Sequence, residues 1–387
     1  MRLADSINVQ QIVEWRRHLH RHPELGFEEF ETSKFIVERL TEMGIEVLRP
    51  TETGVVGVIR GAKPGRVVGL RADIDALPVQ EETDLPYRSA VDGKMHACGH
   101  DCHTASLLGA AQVLAGMREA LCGTVKVIFQ PAEERTPGGA IGLVESGALD
   151  DVEIFFGTHV FPGAPAGVVA SRVGPMTAAQ DGYVIEVRGK GGHGAMPELA
   201  VDPIVVAAEL VLALNLIVSR SFGPMENAVI TCGRFTAGTA SNIIPETARL
   251  DLSVRTNTEE GRIKAERRIR EVAAGVCAAH GATCEVRMIP GYAAVLNDAA
   301  AVDIVRRAAE KHLGENRYVE SPLMMGSEDF SAYAKIAPGA FIGVMAGAPE
   351  QGYLYNNHHP KFTVDEQALP VATAIYVGCA LEAMGLE

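Results

Sequence analysis

The sequence predicts a two-domain α/β protein: a mixed-sheet α/β domain at residues 1–181 and 295–387, interrupted by an α+β domain of ferredoxin-like order at 182–294. Three observations carry this. The chain has 387 residues, more than one hydrophobic core usually organises. Its two ends alternate continuous apolar strands with helices, the pattern of a sheet covered on both faces. Between them lies a strand–helix–strand–strand–helix–strand run, the order of the split βαβ motif.

The elements follow in order. Ile12, Val13, Trp15 and Leu19, then Phe35, Ile36 and Leu40, recur at helical spacing. Short β-branched runs follow at 55–59 and 67–70. A helix rich in Ala and Leu is expected from Thr104 to about Met117, a strand at 125–129, a helix at 140–145 and a strand at 153–156. In the middle segment, residues 183–188 alternate like a half-exposed strand. A long apolar helix from Pro203 to Val218 comes next and reads as a buried helix, because it contains Glu209 and Asn215 and falls short of the roughly 20 residues a membrane span needs. Strands at 228–231 and 248–254, a charged helix at 259–279 and a strand at 284–287 complete the insert. The first style then resumes with a helix at 299–313, a strand at 340–344 and a helix at 369–384.

Composition narrows the function. The formal net charge is -14, which disfavours nucleic acid as a partner, since phosphate binding wants a basic face. The start of the chain has no apolar core and no small-residue cleavage site, so no signal peptide is expected. Seven scattered cysteines suit free thiols in a reducing cytoplasm rather than a disulfide framework. No membrane association is expected.

The densest chemistry is His96-Ala97-Cys98-Gly99-His100-Asp101-Cys102-His103, placed just before a helix. Thiolate and imidazole both ligate zinc and related ions. The spacing of Cys98 and His100 suits a loop where both side chains turn to one side. Gln130-Pro131-Ala132-Glu133-Glu134 follows an apolar strand, at the strand end where open α/β sheets bind ligands. One of these acids can hold a metal while its neighbour accepts a proton from a water whose pKa the metal lowers to about 7. His159 follows another strand, and His358-His359 lies near the end. Asp73 and Asp75 also follow a strand: Asp73 could orient a ligating His, and turn capping is the competing reading for both. Gly-rich segments around His193 and Asn242 could donate hydrogen bonds to a carbonyl or carboxylate.

These motifs resemble the M20 metallopeptidase family, in its amidohydrolase branch of hippurate hydrolases, N-acyl-amino-acid amidohydrolases and auxin-conjugate hydrolases. The resemblance runs from His20-Arg21-His22-Pro23-Glu24 through Arg71–Leu77, Met95–Asp101, Gln130–Glu134, Gly192–Ala195 and Gly326–Phe330 to His358–Phe362. It implies Cys98, His100, Glu134, His159 and His358 as ligands of two divalent ions (Zn, Mn, Co or Ni), with His358 preferred over His359 by the family pattern. It implies Glu133 as general base and acid, Asp73 as support for the site, and His193 and Asn242 as grips on the substrate carboxylate or oxyanion. Gly326 would line the pocket. Cys102 stands where the family usually has Gly and is left out of the metal set. The segment 182–294 would be a lid and dimerisation domain of a homodimer.

The implied activity is hydrolysis of an N-acyl amino acid, of hippurate or N-acetyl type, to a carboxylic acid and an amino acid. A dipeptidase or N-acetyl-diaminopimelate deacetylase would share every metal residue. A non-catalytic metal-binding protein of the same fold has no use for a base, and the Glu133-Glu134 pair argues against it.

Overall fold

The computed structural model describes residues 3–386. They divide into two compact units, one comprising residues up to 176 with 295–323 and from 329 onward, the other 177–294 with 324–328.

The first unit is built on an eight-stranded mixed sheet. Its strands run, in spatial order, Glu46–Leu48, Val55–Arg60, Cys122–Gln130, Lys63–Asp73, Ile154–Phe161, Gly339–Met345, Val169–Ser171 and Tyr318–Glu320. The four central strands are mutually parallel, so their carboxyl ends share one edge. Three of them are buried almost throughout and the fourth, Lys63–Asp73, from Val68 on, which is why they read as continuous rather than alternating apolar runs. The helices Val9–Arg21, His100–Gly116, Ala299–His312 and Ala368–Ala383 contribute Ile12, Leu108, Val305 and Ile375 to the same core.

Among the elements that extend beyond the sequence expectation, two carry candidate ligands. The strand expected at 153–156 continues to Phe161. Gly157 does not break it: a Cβ there would lie 2.9 Å from Phe330, so the missing side chain makes room for that ring. The amide and hydroxyl of Thr158 both donate to the Tyr376 hydroxyl. His159 is therefore a strand residue paired with Gly343, not a residue after the strand.

The helix expected from Thr104 begins at His100. Gly99 caps it with a φ of 96°, and its carbonyl accepts from the Cys102 and His103 amides. A Cβ on Gly99 would sit 2.3 Å from Val160 Cγ2. Both the left-handed backbone and the close approach require glycine here.

The second unit carries a four-stranded antiparallel sheet in the order Ala228–Ala237, Thr247–Thr256, Ala179–Arg188, Thr283–Ile289. With helices Pro203–Ser221 and Glu259–Ala279, this is the βαββαβ arrangement. The strand Ala179–Arg188 alternates buried and half-buried residues, as a sheet covered on one face requires.

The Pro203–Ser221 helix departs from the expected buried helix. Val206, Leu210, Leu214 and Ile217 pack into the core of this unit. Leu212 and Leu216 on the other side are 70% and 59% exposed. The helix is long and apolar enough to cross a membrane by composition, yet only 28% of its apolar window is buried.

Candidate metal centre

The carboxyl ends of the parallel strands and the start of the His100–Gly116 helix bring together five side chains far apart in sequence. Cys98, His100 and His159 offer ligand atoms within 4.8 Å of one another, as do Cys98, Glu134 and His358. The two triads share Cys98. Cys98 Sγ is 3.3 Å from His159 Nε2, and His358 Nε2 is 2.9 Å from Glu134 Oε1. Glu133, buried, also lies within that distance of His100 and Glu134 ligand atoms.

Local structure explains each placement. Cys98 and His100 flank Gly99, whose left-handed backbone lets the helix start between them. Behind the first helical turn, Asp101 Oδ2 accepts from Arg16 Nε at 2.7 Å and lies 2.9 Å from His20 Nδ1. Burial alone would raise the Asp101 pKa; Arg16 and His20 outweigh it and hold the carboxyl well below its usual range. His358 has a φ of 72°, and its amide donates to the Ala97 carbonyl at 2.7 Å. Asn357 Nδ2 donates to the Cys98 carbonyl at 2.9 Å. His359 is engaged elsewhere, stacked on Tyr355 with centroids 4.2 Å apart.

The electrostatics suit cations. Burial lowers the His100 pKa, but Asp73 and Asp75 outweigh it and push the imidazole up to about 10. Burial, then the charges of Glu134 and Glu133, pushes the Cys98 thiol well above its ordinary value. Burial, with His103 second, pulls His159 well down, so its ring is neutral and can donate a lone pair. His100 Nε2 is buried and has no hydrogen-bond partner. An orphaned imidazole nitrogen, a neutral histidine, a buried carboxylate beside a half-buried one and a thiol that needs a counter-cation to ionise fit a divalent metal site.

Two acids, Asp73 and Asp75, stand around the candidate ligands. Asp75, not Asp73, sits against His100 Nδ1, at 3.1 Å. Its other oxygen accepts from the Glu134 amide at 3.0 Å, so one carboxylate orients two candidate ligands. Asp73 Oδ2 is 3.7 Å from His100 Nε2. Asp73 instead accepts from Arg71 Nη1 at 2.8 Å and meets His103 Nδ1 at 2.5 Å. The physical reason is strand length: the strand runs to Asp73 itself, so only Asp75 lies beyond its end. His103, given no role from sequence, also accepts from the Val160 amide through Nε2 at 2.8 Å, tying the helix to the strand that carries His159. An Asp two residues past a strand end was the available signal for Asp75, and the cluster spacing was the signal for His103.

His193, Asn242 and Gly326 belong to the second unit. His193 pairs with Ile243 across a short antiparallel ladder, and the Gly194 amide donates to the Asn242 carbonyl at 2.9 Å. His193 and Asn242 are thus neighbours, both exposed. The Ala195 amide donates to His193 Nδ1 at 3.1 Å, which leaves the proton on Nε2. The Gly326 carbonyl accepts from the Ala178 amide at 2.8 Å.

A cluster of thiol, imidazole and carboxylate groups able to hold a metal, beside a buried acid at the carboxyl edge of a parallel sheet, defines a metallohydrolase-type centre. The chain belongs to peptidase family M20/M25/M40, whose profile matches residues 69–382. It is 41% identical over 381 residues to the N-acetylcysteine deacetylase of Bacillus subtilis, with 98% of each chain covered. It is 43% identical over 297 residues to the N-acyl-L-amino acid amidohydrolase of Geobacillus stearothermophilus, covering 76% of this chain and 80% of that one. The crystal structure of the Bacillus subtilis YXEP protein, a dinuclear metal-binding peptidase of the M20 family, superposes with a TM-score of 0.87 at 38% identity, covering 98% and 99% of the two chains.

Proposed function

We propose that the protein hydrolyses the amide bond of N-acyl amino acids, of hippurate or N-acetyl type, using two divalent ions held by Cys98, His100, Glu134, His159 and His358. The observation that carries the reading is the pair of ligand triads sharing Cys98, with buried Glu133 beside them. Relatives acting on N-acetylcysteine and N-acyl-L-amino acids support the substrate class.

When bound, divalent ions supply Lewis acidity to the scissile carbonyl and lower the pKa of water. The chain's own residues do the rest. Asp75 holds the His100 ring and the Glu134 backbone in place. Glu133 takes a proton from the attacking water as the C–O bond forms, and returns it to the amine nitrogen as the C–N bond breaks. Asp73, through Arg71 and His103, keeps the strand end and the first helical turn in register. His193 Nε2–H and the Asn242 amide supply donors for the substrate carboxylate or the developing oxyanion, with Gly326 lining the pocket.

The test is a panel of N-acyl amino acids against enzyme reconstituted with Zn, Mn, Co or Ni. Amine release from hippurate or an N-acetyl amino acid, lost on chelation and restored by one of these ions, is expected. No release from any member would overturn the reading. Asp75→Ala is expected to weaken metal affinity about 10–100-fold, measured by competition with a chelator; an unchanged affinity would remove Asp75 from the site's support.

The unit around residues 177–294 is proposed to form a homodimer. Supporting this, Leu212, Leu216 and Val205 are exposed on one helix, and the neighbouring strand Ala228–Ala237 is a sheet edge. Exposed apolar patches and open edges call for a partner. Leu212→Glu with Leu216→Glu is expected to convert a dimer to a monomer in light scattering; a wild-type monomer would refute the assignment. Seven free thiols support a cytoplasmic location.

A further inference from the structure

Glu29 is a fully buried acid that the mechanism above does not use. It stands at the N-cap of the helix Phe30–Glu42, yet its side chain makes no capping bond. Glu24 does that work instead, accepting from the Glu31 and Thr32 amides at 3.2 and 2.8 Å. Glu29 is thus free to turn away from its own helix. Its Oε1 accepts from the Ala132 amide at 2.8 Å, 103 residues further along the chain.

Ala132 is a strained residue. It is buried and carries a φ of 53°, in the left-handed region that non-glycine residues rarely adopt. Such a conformation is costly for a residue with a side chain and persists only where its surroundings over-determine it. Here they do. Glu29 holds the amide, the Gly139 amide donates to the carbonyl at 3.2 Å, and Gly26 lies so close that a Cβ on it would be 3.1 Å from Ala132 Cα. The residue after Ala132 is Glu133.

We propose that Glu29 is a positioning residue for catalysis: by holding the left-handed Ala132 through its amide, it sets where the Glu133 carboxylate stands. The inference rests on the reading of Glu133 as proton carrier. Two buried acids then share the work at this turn, Glu29 before the Glu133-Glu134 pair and Asp75 on the Glu134 amide. Burial, with Asp75 second, pushes Glu29 up to about 7, and an oxygen of either protonation state still accepts from an amide. The arrangement therefore needs an acceptor at this position rather than a charge.

The experiment compares metal-loaded wild type with Glu29→Gln, Glu29→Leu, Glu29→Asp, Ala132→Gly and the two double variants carrying Ala132→Gly with Glu29→Leu or Glu29→Asp. Gln keeps the acceptor and is expected to retain kcat within about threefold. Leu removes it, and misplacing a reacting group by about 1 Å can cost about 100-fold; kcat is expected to fall about 10–100-fold with KM and metal content unchanged. Ala132→Gly adopts the left-handed backbone without strain, so the double variant is expected to recover much of that loss. If Glu29→Leu does not fold, Glu29→Asp withdraws the acceptor by one methylene and is expected to lose kcat in the same rescuable way. Full kcat in the folded acceptor-less variant, or a loss that Ala132→Gly does not relieve, would overturn the proposal. Glu133→Gln runs alongside: if it stays active, the proton-carrier reading falls and takes this inference with it. If it is inactive while Glu29→Leu is not, only this inference falls.

Discussion

Glu133→Gln is expected to lower kcat by about 10²–10⁴-fold, the range a positioned general acid–base contributes, while KM and metal content stay near wild type. The substitution keeps the shape of the side chain and removes its ability to take a proton. The metal measurement gives the prediction its discrimination. Glu133 lies within 4.8 Å of the His100 and Glu134 ligand atoms, close enough to be a ligand itself. A base that is not a ligand leaves both ions in place when it is neutralised. Loss of one ion per chain along with activity would make Glu133 a ligand and leave the proton carrier to be found elsewhere.

The sequence made the candidate ligands visible by density and by repeated placement. Cys98 and His100 stood in a run too rich in donors to be ordinary core histidines, and Glu134 followed a strand whose apolar run ends at Phe129, one residue before the observed end at Gln130. What it left hidden depended on where elements stop. The strand expected to end at Phe156 runs to Phe161 and the one expected to end at Leu70 runs to Asp73, which puts His159 in the sheet and Asp75, rather than Asp73, against His100. Boundaries are the least reliable part of a pattern reading, because pairing partners such as the strand Gly339–Met345 decide them and lie nearly 200 residues away. The Gly99 cap was hidden for the same reason: its need is set by Val160, a contact no local window contains. Three-residue strands such as Val169–Ser171 carry too few residues to show a period. The insert was easier, since its strands alternate and its helices are long.

Arg71→Met should be the most damaging single change to the first unit's stability. Arg71 is fully buried and its guanidinium serves three partners at once. Nε donates to Gln130 Oε1 at 2.8 Å, Nη1 to Asp73 Oδ2 at 2.8 Å and Nη2 to Asp329 Oδ1 at 2.9 Å. Removing one partner of a buried ion pair costs about 3–5 kcal/mol, because the remaining charge is left uncompensated. Here two carboxylates are left. For a unit of this size 1 kcal/mol moves Tm by about 2–4 °C, so a fall of roughly 6–20 °C is expected by calorimetry. Arg71→Lys should recover little, since an ammonium cannot reproduce the planar fork. The loss should also depend on pH. Burial would raise Asp73, but His100, His103 and Arg71 hold it well below the usual carboxylate range. Its contribution is therefore present above the unfolded pKa of about 4 and is lost as pH falls through the folded value. Without Arg71 the buried carboxyls can shed their charge by taking protons, which relieves the variant as acid is added. The Tm gap between wild type and Arg71→Met is thus expected to narrow from pH 7 towards pH 4. A gap that is small at pH 7, or that widens in acid, would mean that packing of the side chain rather than its charge holds the two strands and the turn at Asp329 together.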